Sequence, residues 1–314
     1  MSLAATGATR STVELALRGR RADLGGRLFS AFLLLMLLLS LVILVILIGS
    51  VVSDAWPVLS TRGIGFLTSN LSSFEDRAGV WQGLIGSLIL IAFVGVIAVP
   101  LGIGAAVYLQ EYARDTRAAR ALIANIRNLA GVPSIVYGIL GVVVFVQALG
   151  AVTGPEVHGR SLVAGGLTLS VLVMPFIIII TMEALRAVPG GIREAAYGVG
   201  ATRWEVVRSH VLPYAAPGVF TGAILALARA FGETAPLLLV GAVTGYLSPG
   251  GNSGLLETLR GAYTTLPTII YNWARQPGEE WKPLTSAAIV ALLGVILIVN
   301  LAAILLRNRY ERKW

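Results

Sequence analysis

Cysteine is missing altogether from this 314-residue chain, and histidine nearly so, with His158 and His210 alone. Disulfides and thiolate metal sites are therefore excluded. The two histidines stand in separate loops with no carboxylates gathered around them, so they read as isolated polar residues rather than metal ligands or a catalytic base. Lysine is as rare. Lys282 and Lys313 are the whole complement, and neither belongs to a GxxxxGK[ST] phosphate cradle. The chain is expected to bind no cofactor, and any ATP-driven work falls to another subunit. Charge is scarce in general: 13% of residues are charged against 56% hydrophobic, and the mean hydropathy is +0.82, too apolar for a soluble globular domain.

What the sequence has in quantity is the long apolar run. A bilayer core of roughly 30 Å is crossed by about 20 apolar helical residues. Six runs meet this: Leu28–Val52, Gln82–Leu109, Leu129–Leu149, Leu162–Met182, Val211–Val243 and Leu284–Leu306. The first is too long for a signal-peptide core and reads as a retained helix. Pro100, Pro133, Pro175, Pro217 and Pro236 fall within runs, which a membrane bundle tolerates because neighbouring helices satisfy the freed carbonyls. Thirty-six glycines, many inside spans, suit close helix approach in lipid. The expected fold is all-α, a polytopic bundle of six transmembrane helices. Along the chain it divides into a tail 1–27, the first span with an outer loop 28–81, a core 82–306 and a tail 307–314.

The net charge of +8 has a topological origin. With the N-terminus inside, the inner segments carry 17 Arg and Lys residues and the outer segments six, while acidic residues split eight to seven. That asymmetry follows the positive-inside rule and places both termini in the cytoplasm of a multi-pass cell-membrane protein. Membrane lipid, not nucleic acid, is the partner it implies.

One inner loop, 190–213, is unlike the others. Glu194, Ala195 and Ala196 make a small-residue surface, and Gly200 separates two short helical pieces. Trp204, Val207 and Val211 form an apolar stripe at helical spacing, flanked by Arg203 and Arg208. Such a piece can insert into a partner's groove. The segment resembles the EAA loop of ABC importer permeases, with Glu194, Ala195, Ala196, Gly200, Leu212 and Pro213 in register and His210 as the departure, where an aliphatic is usual. The resemblance implies a type I ABC importer permease fold. It also implies that Glu194–Pro213, Arg203 and Trp204 included, docks into an ATPase subunit and transmits its closure.

Charge inside a span is expensive and points to function. The fifth run holds Arg229 and Glu233 with Thr234 beside them, an i, i+4 pair able to share a helix face. A permanent guanidinium suits anion contacts, and a purely structural ion pair is the alternative. The stretches 128–138, 183–189, 200–204 and 228–236 together resemble phosphate-importer permeases, and 232–236 with 270–273 resemble the PstA type. The likeness covers roughly Gln82 to Leu306. It implies translocation of inorganic phosphate into the cytoplasm, and Arg229, Glu233 and Thr234 along the substrate pathway. The implied partners are a PstC-type permease, an ATPase dimer that uses ATP and an extracytoplasmic phosphate-binding protein. Sulfate or molybdate importers of the same class are the nearest alternative. A secondary transporter would want several membrane carboxylates and inverted repeats, and the spans hold Glu233 alone.

Overall fold

The computed structural model describes residues 24–242 and 254–310, and no strand occurs among them. The tail through Asp23, Val243 at the end of the expected fifth span, the 249–251 turn and the charges at Arg312 and Lys313 lie outside the described residues. Two compact units divide the chain, 1–53 and 54–314.

Helix α1, Leu24–Arg62, contains the whole first apolar run. Every residue from Leu24 to Ser50 is exposed, with Leu, Ile, Val and Phe on all faces, which fits lipid rather than a one-sided core. The helix does not end with the run at Val52. It continues through Pro57 and stops at Gly63, whose φ of +48° leaves the helical region.

In the second unit, α2 (Trp81–Val107) loosens into wide turns over Tyr108–Tyr112. Next come α3 (Arg117–Ala130) and α4 (Ser134–Gly141), the latter extended by wide turns to Ala148. Helix α5 is Leu162–Arg186, and the loop supplies α6 (Gly190–Gly198) and α7 (Arg203–Val206). Wide turns over Val207–Val211 lead into α8 (Leu212–Gly232), followed by α9 (Ala235–Val240). The unit closes with α10 (Leu255–Arg260), α11 (Leu266–Trp273) and α12 (Trp281–Tyr310). Among the described residues five helices are long and apolar enough to cross a membrane, or six where the bent pair α3–α4 counts as one span.

Two spans differ from the expected runs. The third starts at Ser134 rather than Leu129, because the chain turns by 100° between α3 and α4. Pro133 disfavours helix at the preceding residue and so opens the bend, which the Tyr137 hydroxyl braces by donating to the Leu129 carbonyl at 2.9 Å. The fifth is broken. Glu233 is extended, with φ −74° and ψ 123°, between α8 and α9. Pro236 lacks the N–H that would bond the Gly232 carbonyl, which weakens the helix where Glu233 leaves it.

Helix α5 is the central post. Helix α2 runs parallel to it, and a Cβ on Gly102 would come within 2.7 Å of Ile177. Helix α8 runs antiparallel, with a Cβ on Gly218 coming within 2.9 Å of Ala184 and one on Gly222 striking Ile180. These contacts let backbones approach where lipid supplies no hydrophobic drive between helices. Leu90, Val94, Leu169, Val173, Ile177 and Leu237 fill the centre. Residues 190–211 lie at one end of the bundle, called here the loop end, beside the C-terminal ends of α2 and α5. At the far end, Phe66, Trp273 and Trp281 stack in tilted pairs.

Candidate functional site

At the loop end, Gly200 takes φ +84° between α6 and α7, as a break between two helical pieces requires. Thr202 then caps α7: its hydroxyl accepts the Glu205 N–H, and the Glu205 carboxylate accepts the Thr202 N–H at 2.8 Å. These bonds from Thr202, backbone first, hold the Glu205 carboxyl below its ordinary range.

The apolar stripe divides differently from the expected pattern. Val207 and Val211 are fully buried, and Val211 packs with Leu185, Val188, Ala196 and Ala215 of the same chain, so they hold the loop to the bundle. The wide turns over Val207–Val211 rotate them away from Trp204, which is 57% exposed. Ala196 is likewise buried, while Glu194 and Ala195 face outward. The surface left for a partner is Glu194, Ala195, Tyr197, Val199, Arg203, Trp204 and the Arg208–His210 edge. Leu212 is half-buried and Pro213 exposed, where the wide turns pass into α8. Arg208 stands 6.0 Å from the Trp204 ring, a cation over an aromatic face.

The loop is anchored by residues that sequence reasoning missed. Arg193 on α6 grips Glu111 at the end of α2, with Nη2 to Oε1 at 2.8 Å and Nε to Oε2 at 3.4 Å. The same guanidinium donates to the carbonyls of Leu185 and Val188 at 2.8 and 2.9 Å. Next to this pair, Arg203 lies 5.2 Å over the Tyr112 ring. The available signal was Glu111 as the first carboxylate after a long apolar run, but its partner is 82 positions away.

Arg229 and Glu233 meet at the level of the middle of α5, and Thr234 follows Glu233 in the chain. Arg229 on α8 lies 5.9 Å from the Phe176 ring, midway along α5. Its Nε reaches Glu233 Oε1 at 3.5 Å, a long contact through one nitrogen. Nη1 and Nη2 make no hydrogen bond among the described residues. The Arg229 side chain is 43% exposed and Glu233 17%. The pair is therefore made across the helix break rather than along one helix, and Thr234 opens the next helix beside it. A planar donor fork left open at this depth can take an oxyanion, with the carboxylate as its alternative partner. Among the described residues no cluster of metal-ligating side chains occurs.

Residues 98–313 match the family model described as binding-protein-dependent transport system inner membrane component. The phosphate transport system permease protein PstC of Mesorhizobium japonicum is 36% identical over 82% of its own length and 83% of this chain. The permease protein PstA 1 of Mycobacterium tuberculosis is 33% identical, over 78% of its length and 82% of this chain. Among solved structures, a bacterial ABC transporter involved in the import of the acidic polysaccharide alginate aligns with a TM-score of 0.58 at 17% identity, covering 92% of this chain and 99% of its own. The MetNI methionine ABC transporter, in an inward-facing conformation, aligns at 0.55 and 22% identity, covering 74% and 95%. These neighbours share the type I importer permease fold.

Proposed function

The chain belongs to the family of binding-protein-dependent transport system inner membrane components, and from that premise we propose that it is the PstA-type permease of an ATP-driven importer of inorganic phosphate. It works beside a PstC-type permease, an ATPase pair and an extracytoplasmic phosphate-binding protein, with the loop end and both termini in the cytoplasm. The observation that carries the reading is one helical rod, Arg203–Gly232, joining the exposed loop surface to the break at mid-depth. An ATPase closing on Glu194, Trp204 and their neighbours displaces this rod, and the displacement arrives at Arg229 and Glu233.

In this mechanism phosphate released by the binding protein passes between the two permeases. Arg229 offers it the open guanidinium face, and Glu233 takes the guanidinium back when the anion leaves. The 3.5 Å single-point bond suits an exchangeable partner better than a structural pair. The relatives' names support phosphate over other oxyanions.

The test is uptake of labelled phosphate in cells lacking other phosphate carriers. Arg229→Ala should reduce uptake by at least an order of magnitude while the complex still co-purifies. In the purified complex, phosphate-loaded binding protein should stimulate ATP hydrolysis, whereas sulfate and molybdate should not. Normal uptake by an assembled Arg229→Ala complex removes the pathway role, and stimulation by sulfate or molybdate instead reassigns the cargo.

A further inference from the structure

We propose that Arg193 and Glu111 form the joint through which motion of the coupling loop is passed to the second span, making Arg193 a positioning residue of the transport cycle. The inference rests on the coupling role given to the loop above, and on geometry independent of cargo. Helix α8 already continues from the loop as one rod. Helices α2 and α5 have no such continuity with it, since α6 follows α5 only after a turn at Ala187–Pro189. Apolar packing of Ala196 and Val211 on Leu185 and Val188 holds the loop against them, but such contacts are non-directional and fix no orientation.

Arg193 supplies the directional tie. One guanidinium bonds the carboxylate that ends α2 and two carbonyls at the end of α5, while its own backbone belongs to α6. Glu111 is buried, so the pair is shielded from solvent and salt. Its fork-like geometry resists rotation as well as separation. The neighbouring residue on the same helix, Glu194, is exposed on the docking surface. Force applied there is one residue from the joint. Arg203 over Tyr112 gives α7 a second hold on the wide turns that carry Glu111. Because α2 and α5 interlock at Gly102 and Ile177, gripping their ends moves both. The joint thus turns a displacement of one helix into a displacement of three.

The test uses the full transporter complex in nanodiscs. The chain has no cysteine of its own, so Ser73→Cys supplies a unique thiol in this subunit, on the exposed far-end segment. Trapping with ATP and vanadate should change the labelling rate of that thiol several-fold. Glu111→Gln and Arg193→Gln should each abolish the change while basal ATP hydrolysis stays within about twofold, and the exchanged pair Glu111→Arg with Arg193→Glu should restore part of it. A short bifunctional thiol cross-link between Glu111→Cys and Arg193→Cys, which replaces the ion pair by a covalent bond, should preserve phosphate uptake, and cleaving the link should remove it. A trapping response of normal size in Glu111→Gln overturns the joint, as does loss of uptake on cross-linking. Where the glutamine variants fail to assemble, the cross-linked pair decides by the same outcome. No trapping response in the complex that carries Ser73→Cys alone overturns the coupling role and the joint together. A normal joint with no phosphate stimulation overturns only the cargo.

Discussion

Gly200 concentrates the loop's geometry in one residue. Its φ of +84° is a region that side chains with a Cβ enter at a cost of about 1–2 kcal/mol, and no atom stands within 4 Å of where a Cβ would be. Substitution there changes the backbone preference without a clash. Asn adopts the left-handed region more readily than Ala, and β-branched residues least of all. Gly200→Asn should therefore be the mildest change, Gly200→Ala intermediate and Gly200→Val the worst. The last should weaken ATPase docking by about tenfold, the equivalent of 1.4 kcal/mol. Titrating detergent-purified permease with the ATPase checks the order, and equal affinities would mean that the loop does not dock in this conformation. Glu205 adds a pH dependence. Its carboxyl is held below the ordinary value of 4.5 by the Thr202 bonds, so its capping contribution is complete above that value. The contribution is lost as pH falls through the lowered one. The protection of the Arg203–Val206 amides against hydrogen exchange, taken relative to the intrinsic rate at each pH, should fall on acidification through the lowered value, and Glu205→Gln should remove that change.

Helix breaks separate what the residue pattern can and cannot reveal. Pro236→Ala restores an N–H opposite the Gly232 carbonyl and permits α8 to continue through Glu233. The variant should fold and assemble, yet transport several-fold less phosphate, because Glu233 would leave its position beside Arg229. Wild-type uptake would show that the break is dispensable. The six apolar runs and the inner loop were legible because the bilayer imposes a length and the loop a spacing. Breaks were not. Pro100, Pro175 and Pro217 lie inside continuous helices, whereas Pro133 and Pro236 stand at turns, so proline alone does not tell where a span divides. The expected stripe failed for a related reason. Wide turns at Val207–Val211 change the angular step between residues, and a pattern drawn at 3.6 per turn put Trp204 on the face of two buried valines. Glu111 with Arg193 was illegible because their meeting depends on α2 and α5 running parallel, a tertiary fact.

At the scale of the whole molecule, Arg229 poses a problem that one chain does not solve. A guanidinium near the membrane centre costs about 2.5–3.5 kcal/mol in insertion. Here it is 43% exposed and joined to Glu233 by a single long bond. Exposure at that depth toward lipid would be unfavourable, whereas exposure toward a second permease or an aqueous passage costs far less. The chain alone should thus be less stable than the chain with its partner permease, and the charges should be part of the reason. Removing both at once, as Arg229→Leu with Glu233→Gln, avoids leaving one charge unpaired. The double variant expressed alone should resist thermal aggregation in detergent better than the unmodified chain. Assembled with its partners, it should fail to take up phosphate. Stability gained together with transport lost is the signature of charges retained for function. Stability lost in the lone chain would mean instead that the pair holds α8 to α9, and would return Arg229 to a structural role.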